Sequence, residues 1–583
     1  MSRNARYGSD VVVDVLQTLG VRYVAFNPGA SFRGLHDSLV NYAGGTPTIL
    51  EVPHEKIAVG IAHGYAKVTG EPMAVVTHDL VGLLHATLGI YYAHVDRTPI
   101  LVLGGTGPMD AARRRPWIDW VHTANVENSA VRDYTKWDDH PASVEALPDS
   151  LVRAYQVSTM QPAGPVFVAL DAAVQEESLG ERNVAMTGAD PPPTRIAPDP
   201  DALERVAQAL VQAERPALIA GYAARDPGAW AQLIELAELL ALAVVDTDLR
   251  LNFPTNHELS SRPADVLPDA DVVLLLDIKD IGDHTGLLTK ESRGGRPALA
   301  PGAKLLELGF GDLGLSSWAA DFGSWYDADE RVLADTSIAL PLLLQRCREL
   351  VAAHPEERER REARRHEIAS RHAAARQIWR SKADEQTGGN EPLTVANLVK
   401  EVGAAISAHD WVLTAGTANG WALKLWDFDK PYRHVGRSLG TATQIGISLG
   451  VALAHRGSGK LVVDLQPDGD LMFDAGALWV ASRHRLPMLV IMVNNRAYNN
   501  DWVHQKNVAR ARGNPVERAG IGIVIDDPAP DFATLARAFD WHAEGPVTRV
   551  DEIALAVARA ARVVLEQGRP ALVDIVCQAE DGD

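Results

Sequence analysis

The sequence predicts an α/β chain built from three doubly wound parallel-sheet domains. Three observations carry that reading. Short apolar runs bounded by turn residues alternate with amphipathic stretches along the 583 residues, the pattern of strands joined by crossover helices. At roughly 100–200 residues per domain, the length accommodates about three such units. A proline-rich stretch from Asp190 to Pro200 and a run dense in Glu and Arg over 356–383 divide the chain in two places.

The first block is expected over residues 1–188. Val11–Leu19 reads as an amphipathic helix, and Tyr23–Phe26 as a strand ending at Asn27–Pro28–Gly29. Ala58–Val68 reads as a helix, with Met73–Thr77 and Ile100–Leu103 as buried strands. The second block, 200–350, offers strands at Ala217–Ala220, Ala243–Asp246, Val272–Leu276 and Lys304–Glu307. Residues 351–392 read as a charged helical connector with Glu and Arg paired at i,i+4 on a solvated face. The third block, 393–583, places strands at Trp411–Thr414, Leu461–Leu465, Met488–Val493 and Ala571–Ile575. No short-period repeat is present.

Composition narrows the function. Hydrophobic residues at 46% and charged residues at 23% are a globular balance. A formal charge of −20 argues against broad nucleic-acid binding, which needs basic surface. Arg113–Arg114–Arg115 is a local exception and reads as solvated surface. Cys347 and Cys577 stand far apart without a CxxC partner, so neither zinc nor a disulfide framework is implied. That usage fits a reducing compartment. No apolar run reaches the roughly 20 residues needed to span a bilayer, and the N-terminus has no apolar h-region. The expected setting is the cytoplasm, with neither membrane nor nucleic acid as partner.

The most informative segment is Gln466–Pro467–Asp468–Gly469–Asp470, followed after 24 residues by Asn495. It leaves one predicted strand, crosses a predicted helix over Gly476–Arg483, and returns on a second strand that delivers Asn494–Asn495. Ligands of open α/β sheets bind outside the carboxyl ends of strands, so Asp468 and Asn495 are expected at neighbouring strand ends. A carboxylate, an amide oxygen and a backbone carbonyl are hard ligands suited to Mg²⁺, which usually adds phosphate oxygens. Gly469 lets backbone N–H groups approach those phosphates. A lone Asp-Gly turn would carry no such meaning.

These residues resemble the thiamine diphosphate-binding signature, Gly-Asp-Gly followed some 25 residues later by Asn-Asn. The match departs at Pro467, which replaces glycine, and at Asp470, which stands where a small or hydroxylated residue is common. A second match lies near the front, in Pro53–His54–Glu55–Lys56 followed by Gly64–Tyr65–Ala66. The resemblance extends over nearly the whole chain and implies pyrimidine-binding, central and diphosphate-binding domains. It implies thiamine diphosphate and Mg²⁺ as cofactors, with Asp468, Asn495 and the Ala497 carbonyl on the metal. Glu55 would contact the aminopyrimidine ring, where a carboxyl favours the imino tautomer that serves as internal base.

Asn27–Pro28–Gly29, Thr77–His78 and Phe253–Pro254–Thr255–Asn256–His257 resemble the benzoylformate decarboxylase and acetohydroxyacid synthase branch. By that resemblance His78 and His284 are pocket histidines able to give and take protons near neutrality. Ala30, with Ser31 beside it, corresponds to a pocket serine, and His85 stands where asparagine is usual. Thr417 matches a diphosphate contact, and Thr441 falls near the residue that props the bent cofactor. Asn499, Asn500 and Trp502 are expected to face substrate. The implied activity is a carbon–carbon lyase, foremost a 2-oxo acid decarboxylase with carboligase capability, acting on a small carbonyl substrate. The alternatives are an acetohydroxyacid synthase-like transferase, a lyase of 2-hydroxyketones or 2-hydroxyacyl-CoA thioesters, and a non-catalytic homologue. A homodimer or homotetramer is expected, because in the family the cofactor bridges domains of two subunits.

Overall fold

The computed structural model describes residues 5–186, 188, 194–262, 265–279, 281–282, 299–311, 327–385, 393–414, 416–438 and 440–579. Three sheets organise the chain, and every strand pairing within them is parallel. The first contains β1 (Tyr23–Phe26), β2 (Thr48–Glu51), β3 (Met73–His78), β4 (Ile100–Thr106), β5 (Asp138–Asp139) and β6 (Pro165–Asp171), in the order β2-β1-β3-β4-β6-β5. The second contains β7 (Pro216–Ala220), β8 (Ala243–Asp246), β9 (Val272–Leu276), β10 (Lys304–Gly309) and β11 (Glu330–Leu333), in the order β11-β10-β9-β7-β8. The third contains β12 (Trp411–Leu413), β13 (Leu461–Pro467), β14 (Leu489–Asn494), β15 (His542–Val547) and β16 (Ala571–Val576), in the order β12-β13-β14-β16-β15.

Strand composition follows from burial on both faces. In β3, Met73 and Val75 enter one core while Ala74 and Val76 enter another. In β14, Val490 and Met492 join that first core, and Leu489, Ile491 and Val493 turn to a third. The inner faces of the first and third sheets therefore share one hydrophobic core. Two helices, Glu55–Thr69 and Gln444–Ala454, fill it. Their backbones touch at glycines four residues apart. A Cβ on Gly64 would lie 1.9 Å from the Ile447 carbonyl oxygen, and one on Gly450 would lie 2.1 Å from that of Ile61. Only glycine permits this approach.

The central sheet has its own core and docks through buried charge. Asp96 accepts from Tyr222 Oη at 3.1 Å and pairs with His63 and Lys67, while Asp277 pairs with Arg97 and Arg225. The Glu- and Arg-rich connector folds as helix Arg358–Asp384. It is less solvated than expected: Arg376 is buried and bonded to Asp427, and Arg364 donates to the carbonyls of Ala241, Glu214 and Leu240. These arginines clasp the second and third blocks as well as forming surface i,i+4 pairs such as Arg358–Glu362. Arg113, Arg114 and Arg115 likewise hold their own loop, through the carbonyls of Ala173, Pro108 and Met109 and the carboxylate of Asp119. Among the described residues no helix is long and apolar enough to cross a membrane.

Candidate active site

Residues after the carboxyl ends of β13 and β14 form one half-site. Asp468 opens the short helix Asp468–Phe473, where the sequence suggested only a turn. Its Oδ1 accepts the Gly469 N–H at 2.8 Å. Its Oδ2 has no hydrogen-bond partner, although Asp468 is 1% exposed. Burial pushes this carboxyl up to about 6, against the pull of the Gly469, Arg496 and Ala497 N–H groups. Asn495 Oδ1 accepts the Ala497 N–H at 3.0 Å, and the Ala497 carbonyl accepts from the Asn499 N–H at 2.9 Å, leaving a lone pair. A Cβ on Gly469 would meet the Tyr498 ring at 2.6 Å, so the Asn495–Tyr498 loop closes directly over the motif.

Asp470 does not stand free beside this cradle. Its Oδ1 accepts the N–H of Ala442, a residue held at φ 69°. The carboxylate that departs from the signature thus fixes the loop carrying Thr441, which is itself exposed. The Thr417 N–H donates to Gln444 Oε1 at 3.2 Å, and the Gln444 amide donates to Asp464 and to the Leu465 carbonyl, both at 2.8 Å. Asn499 and Trp502 lie on helix Asn499–Arg512 rather than on a loop, and Asn499 Oδ1 and Trp502 Nε1 are buried without partners.

The second half-site lies at the carboxyl ends of β1, β2 and β3, around the β1/β3 crevice where the strand order of the first sheet reverses. Glu55 heads helix Glu55–Thr69 and is 3% exposed. His85 Nδ1 is 3.2 Å from its Oε2, and the Asn27 amide donates to Oε1 at 3.5 Å. His54 stacks on His85 with centroids 4.8 Å apart. His78, at the end of β3, has Nδ1 2.8 Å from Ser31 Oγ and Nε2 3.1 Å from His122 Nδ1. Ala30 is exposed at the start of the turn that buries Ser31.

The two half-sites approach each other within one chain. Lys56, next to Glu55, pairs with Asp474 at 3.1 Å, and a Cβ on Gly476 would lie 3.3 Å from Pro53. Glu55, His85, His78 and Ser31 therefore gather on one side, with Asp468, Gly469, Asn495 and Ala497 on the other. His284 falls outside the described residues. Sequence reasoning missed Gln444, Asp464 and His122. None carries a local signal, since each is defined by a partner distant in the chain.

The donor set fits the cofactor implied by the sequence. A buried, unpartnered carboxylate oxygen beside an amide oxygen and a carbonyl suits Mg²⁺ with phosphate oxygens, and Glu55 offers a buried carboxyl.

Comparison with known proteins agrees. Residues 6–127 match the N-terminal TPP-binding domain of thiamine pyrophosphate enzymes, and residues 414–575 match their C-terminal TPP-binding domain. The acetolactate synthase isozyme 3 large subunit of Escherichia coli is 25% identical over 91% of this chain and 88% of its own. The fold superposes on benzoylformate decarboxylase from Polynucleobacter necessarius with a TM-score of 0.74, at 19% identity over 99% of both chains. It superposes on a 4-hydroxybenzoylformate decarboxylase from Rhodococcus jostii with a TM-score of 0.73, at 18% identity over 99% of this chain and 100% of that one. With both cofactor-binding domains matched on a three-sheet α/β frame, the chain belongs to the thiamine pyrophosphate enzymes and is similar over most of its length to acetolactate synthases.

Proposed function

We propose that this enzyme is a carbon–carbon lyase that uses thiamine diphosphate and Mg²⁺ to decarboxylate 2-oxo acids bearing an aryl or branched acyl group, with carboligation as a second outcome. The observation that carries the reading is the pair of half-sites, one with the orphaned Asp468 Oδ2 and the other with the buried Glu55 carboxyl. Asp468, Asn495 and the Ala497 carbonyl would hold the metal, with Gly469 and Thr417 at the diphosphate and Glu55 at the aminopyrimidine. When bound, the cofactor supplies a carbon nucleophile and an electron sink. The protein's share is orientation and proton control. Glu55 holds a proton at a ring nitrogen, the apolar wall between the first and third sheets limits water, and the imidazole pair beside Ser31 offers a hydrogen bond to substrate oxygen.

The decarboxylase reading is supported by those imidazoles, and the bulky acyl group by Trp502 and the exposed Trp117 and Trp120 near His122. Resemblance to acetolactate synthases favours a second reading, transfer of the acyl unit to another 2-oxo acid. We place the enzyme in the cytoplasm, where buried free thiols such as Cys347, pushed up to about 12 by burial, persist. We also assign it a dimer or larger homo-oligomer. Leu84, Leu88, Met472 and Phe473 are exposed apolar side chains around the half-sites, as at a subunit interface. A panel of aryl, branched and short 2-oxo acids, with and without a second carbonyl acceptor, tests the reaction. Carbon dioxide released faster from benzoylformate-like acids than from pyruvate supports it, whereas carboligation of pyruvate alone would move the enzyme to the transferase reading. Light scattering at assay concentration tests the assembly, and a fully active monomer would refute it.

A further inference from the structure

The hydrogen bonds around His78 fix its tautomer, and with it the identity of the group that faces substrate. Three partners surround the ring. The Ser31 backbone N–H points at His78 Nδ1 from 3.4 Å, and a backbone N–H can only donate. Ser31 Oγ is 2.8 Å from the same nitrogen and accepts the Asp79 N–H at 3.1 Å; with Nδ1 already facing a backbone N–H, the hydroxyl turns its own hydrogen to Nδ1. Nδ1 is therefore an acceptor, and in a neutral ring the proton sits on Nε2. That proton is directed at His122 Nδ1, 3.1 Å away. His122 Nδ1 is then an acceptor as well, and its own proton lies on Nε2, on the far side of the ring. Nε2 of His122 makes no hydrogen bond among the described residues.

The surroundings show that the arrangement is built in. A Cβ on Gly29 would lie 2.4 Å from His78 Cβ, and one on Gly105 would lie 2.7 Å from Ser31 Oγ, so both neighbours must be glycine for the imidazole and hydroxyl to sit where they do. Asp79 adopts φ 47°, an uncommon backbone for a non-glycine residue. In that conformation its Oδ1 accepts from the Gly107 N–H at 3.1 Å and from Thr123 Oγ1 at 2.8 Å. Those two bonds clamp both ends of the segment carrying His122. The ionisable groups facing His78 are Asp79, His122, Glu55 and Arg115; burial, joined by His122 and Arg115, outweighs the two carboxylates and holds the imidazole below its usual 6.5. His78 is thus neutral at neutral pH, as the tautomer argument requires.

We propose that Nε2–H of His122 is the donor that meets the oxygen of a carbonyl substrate in this pocket, and that His78 is the positioning residue that orients it. The inference rests on the thiamine diphosphate lyase reading above and reverses the roles expected from sequence, which assigned His78 to the substrate. No bond is made or broken. A neutral imidazole N–H stabilises negative charge as it develops on the substrate oxygen.

Two substitutions at one position separate the possibilities, because asparagine mimics Nδ1 and glutamine mimics Nε2. H122N keeps the acceptor for His78 but loses the outward donor, whereas H122Q restores an outward donor. Turnover of H122N is expected to fall about 10²–10³-fold, the loss typical of one oxyanion donor, with H122Q recovering part of it. Solid-state ¹⁵N NMR of histidine-labelled holoenzyme, assigned by difference from H78N and H122N, should show Nδ1 of His78 without a proton and the His78 and His122 protons on Nε2. H122N at wild-type turnover, or a His78 proton on Nδ1, overturns the proposal. Failure of the lyase reading is recognised separately: wild-type holoenzyme would then show neither exchange of the cofactor C2 proton nor turnover of any 2-oxo acid, while the NMR result still decides the tautomers.

Discussion

Replacing Asp468 with asparagine should stabilise the cofactor-free enzyme while removing its ability to retain the cofactor. The buried carboxyl rises from its usual 3.8 to about 6, and one of its oxygens has no partner. Holding it ionised in the folded chain disfavours folding by about 3 kcal/mol. The sign is set by the raised folded value. Below pH 3.8 the group is protonated in both states and contributes nothing. The penalty grows as pH rises from 3.8 and is complete above about 6. Asp468→Asn removes that titration, so at pH 8 the cofactor-free variant should unfold at a temperature about 3–5 °C higher than wild type. The difference should vanish near pH 3.8. Ligand reverses the order, since at 100-fold excess over Kd a ligand of the native state adds about 2.7 kcal/mol, and only wild type can gain it through the metal. Differential scanning fluorimetry at pH 4 and pH 8, with and without thiamine diphosphate and Mg²⁺, reads both effects. A cofactor-free Asp468→Asn no more stable than wild type at pH 8, or one equally stabilised by the cofactor and metal, would refute the reasoning.

Three further outcomes follow from the same geometry. Glu55→Gln should fold and bind cofactor but slow exchange of the cofactor C2 proton by about 10²–10⁴-fold; NMR in deuterium oxide checks this, and wild-type exchange would remove Glu55 from its assigned role. Gly64→Ala puts a Cβ 1.9 Å from the Ile447 carbonyl oxygen, so it should destabilise the joint between the first and third sheets by about 1–3 kcal/mol or more, visible as a lower denaturation midpoint; an unchanged midpoint would mean the helices do not touch there. Glu127, 2% exposed, is pushed up from 4.5 to about 8 by burial and by the nearby Asp79, against a weak pull from Thr106. Wild type should therefore lose stability as pH rises from 4.5 through 8, by up to about 5 kcal/mol, and Glu127→Gln should flatten that loss between pH 5 and pH 9.

Much of the fold was legible because its cause is local. The strands Tyr23–Phe26, Ala217–Ala220 and Val272–Leu276 announce themselves as apolar runs between turn residues, and burial on both sheet faces keeps such runs continuous. The Asp468–Asn495 pairing was legible for the same reason, since two strand ends bracket a fixed length of chain. The connector 358–384 was only half legible. Its helix follows from composition, but the burial of Arg376 depends on Asp427 and the Thr255 carbonyl, which the sequence separates widely.

The sequence by itself determined the three α/β blocks, the carboxylate and amides at the strand ends, and a helix a few residues after Glu55, which the structure extends back to start at Glu55. These depend on periodicity and on residues at fixed short spacing. Tertiary structure alone decided that Asp470 holds the Ala442 N–H, that His85 lies against Glu55, and that His122 completes the pair begun by His78. A hydrogen bond has a direction and a reach of about 3 Å, and no spacing along the chain encodes which distant donor will arrive within it.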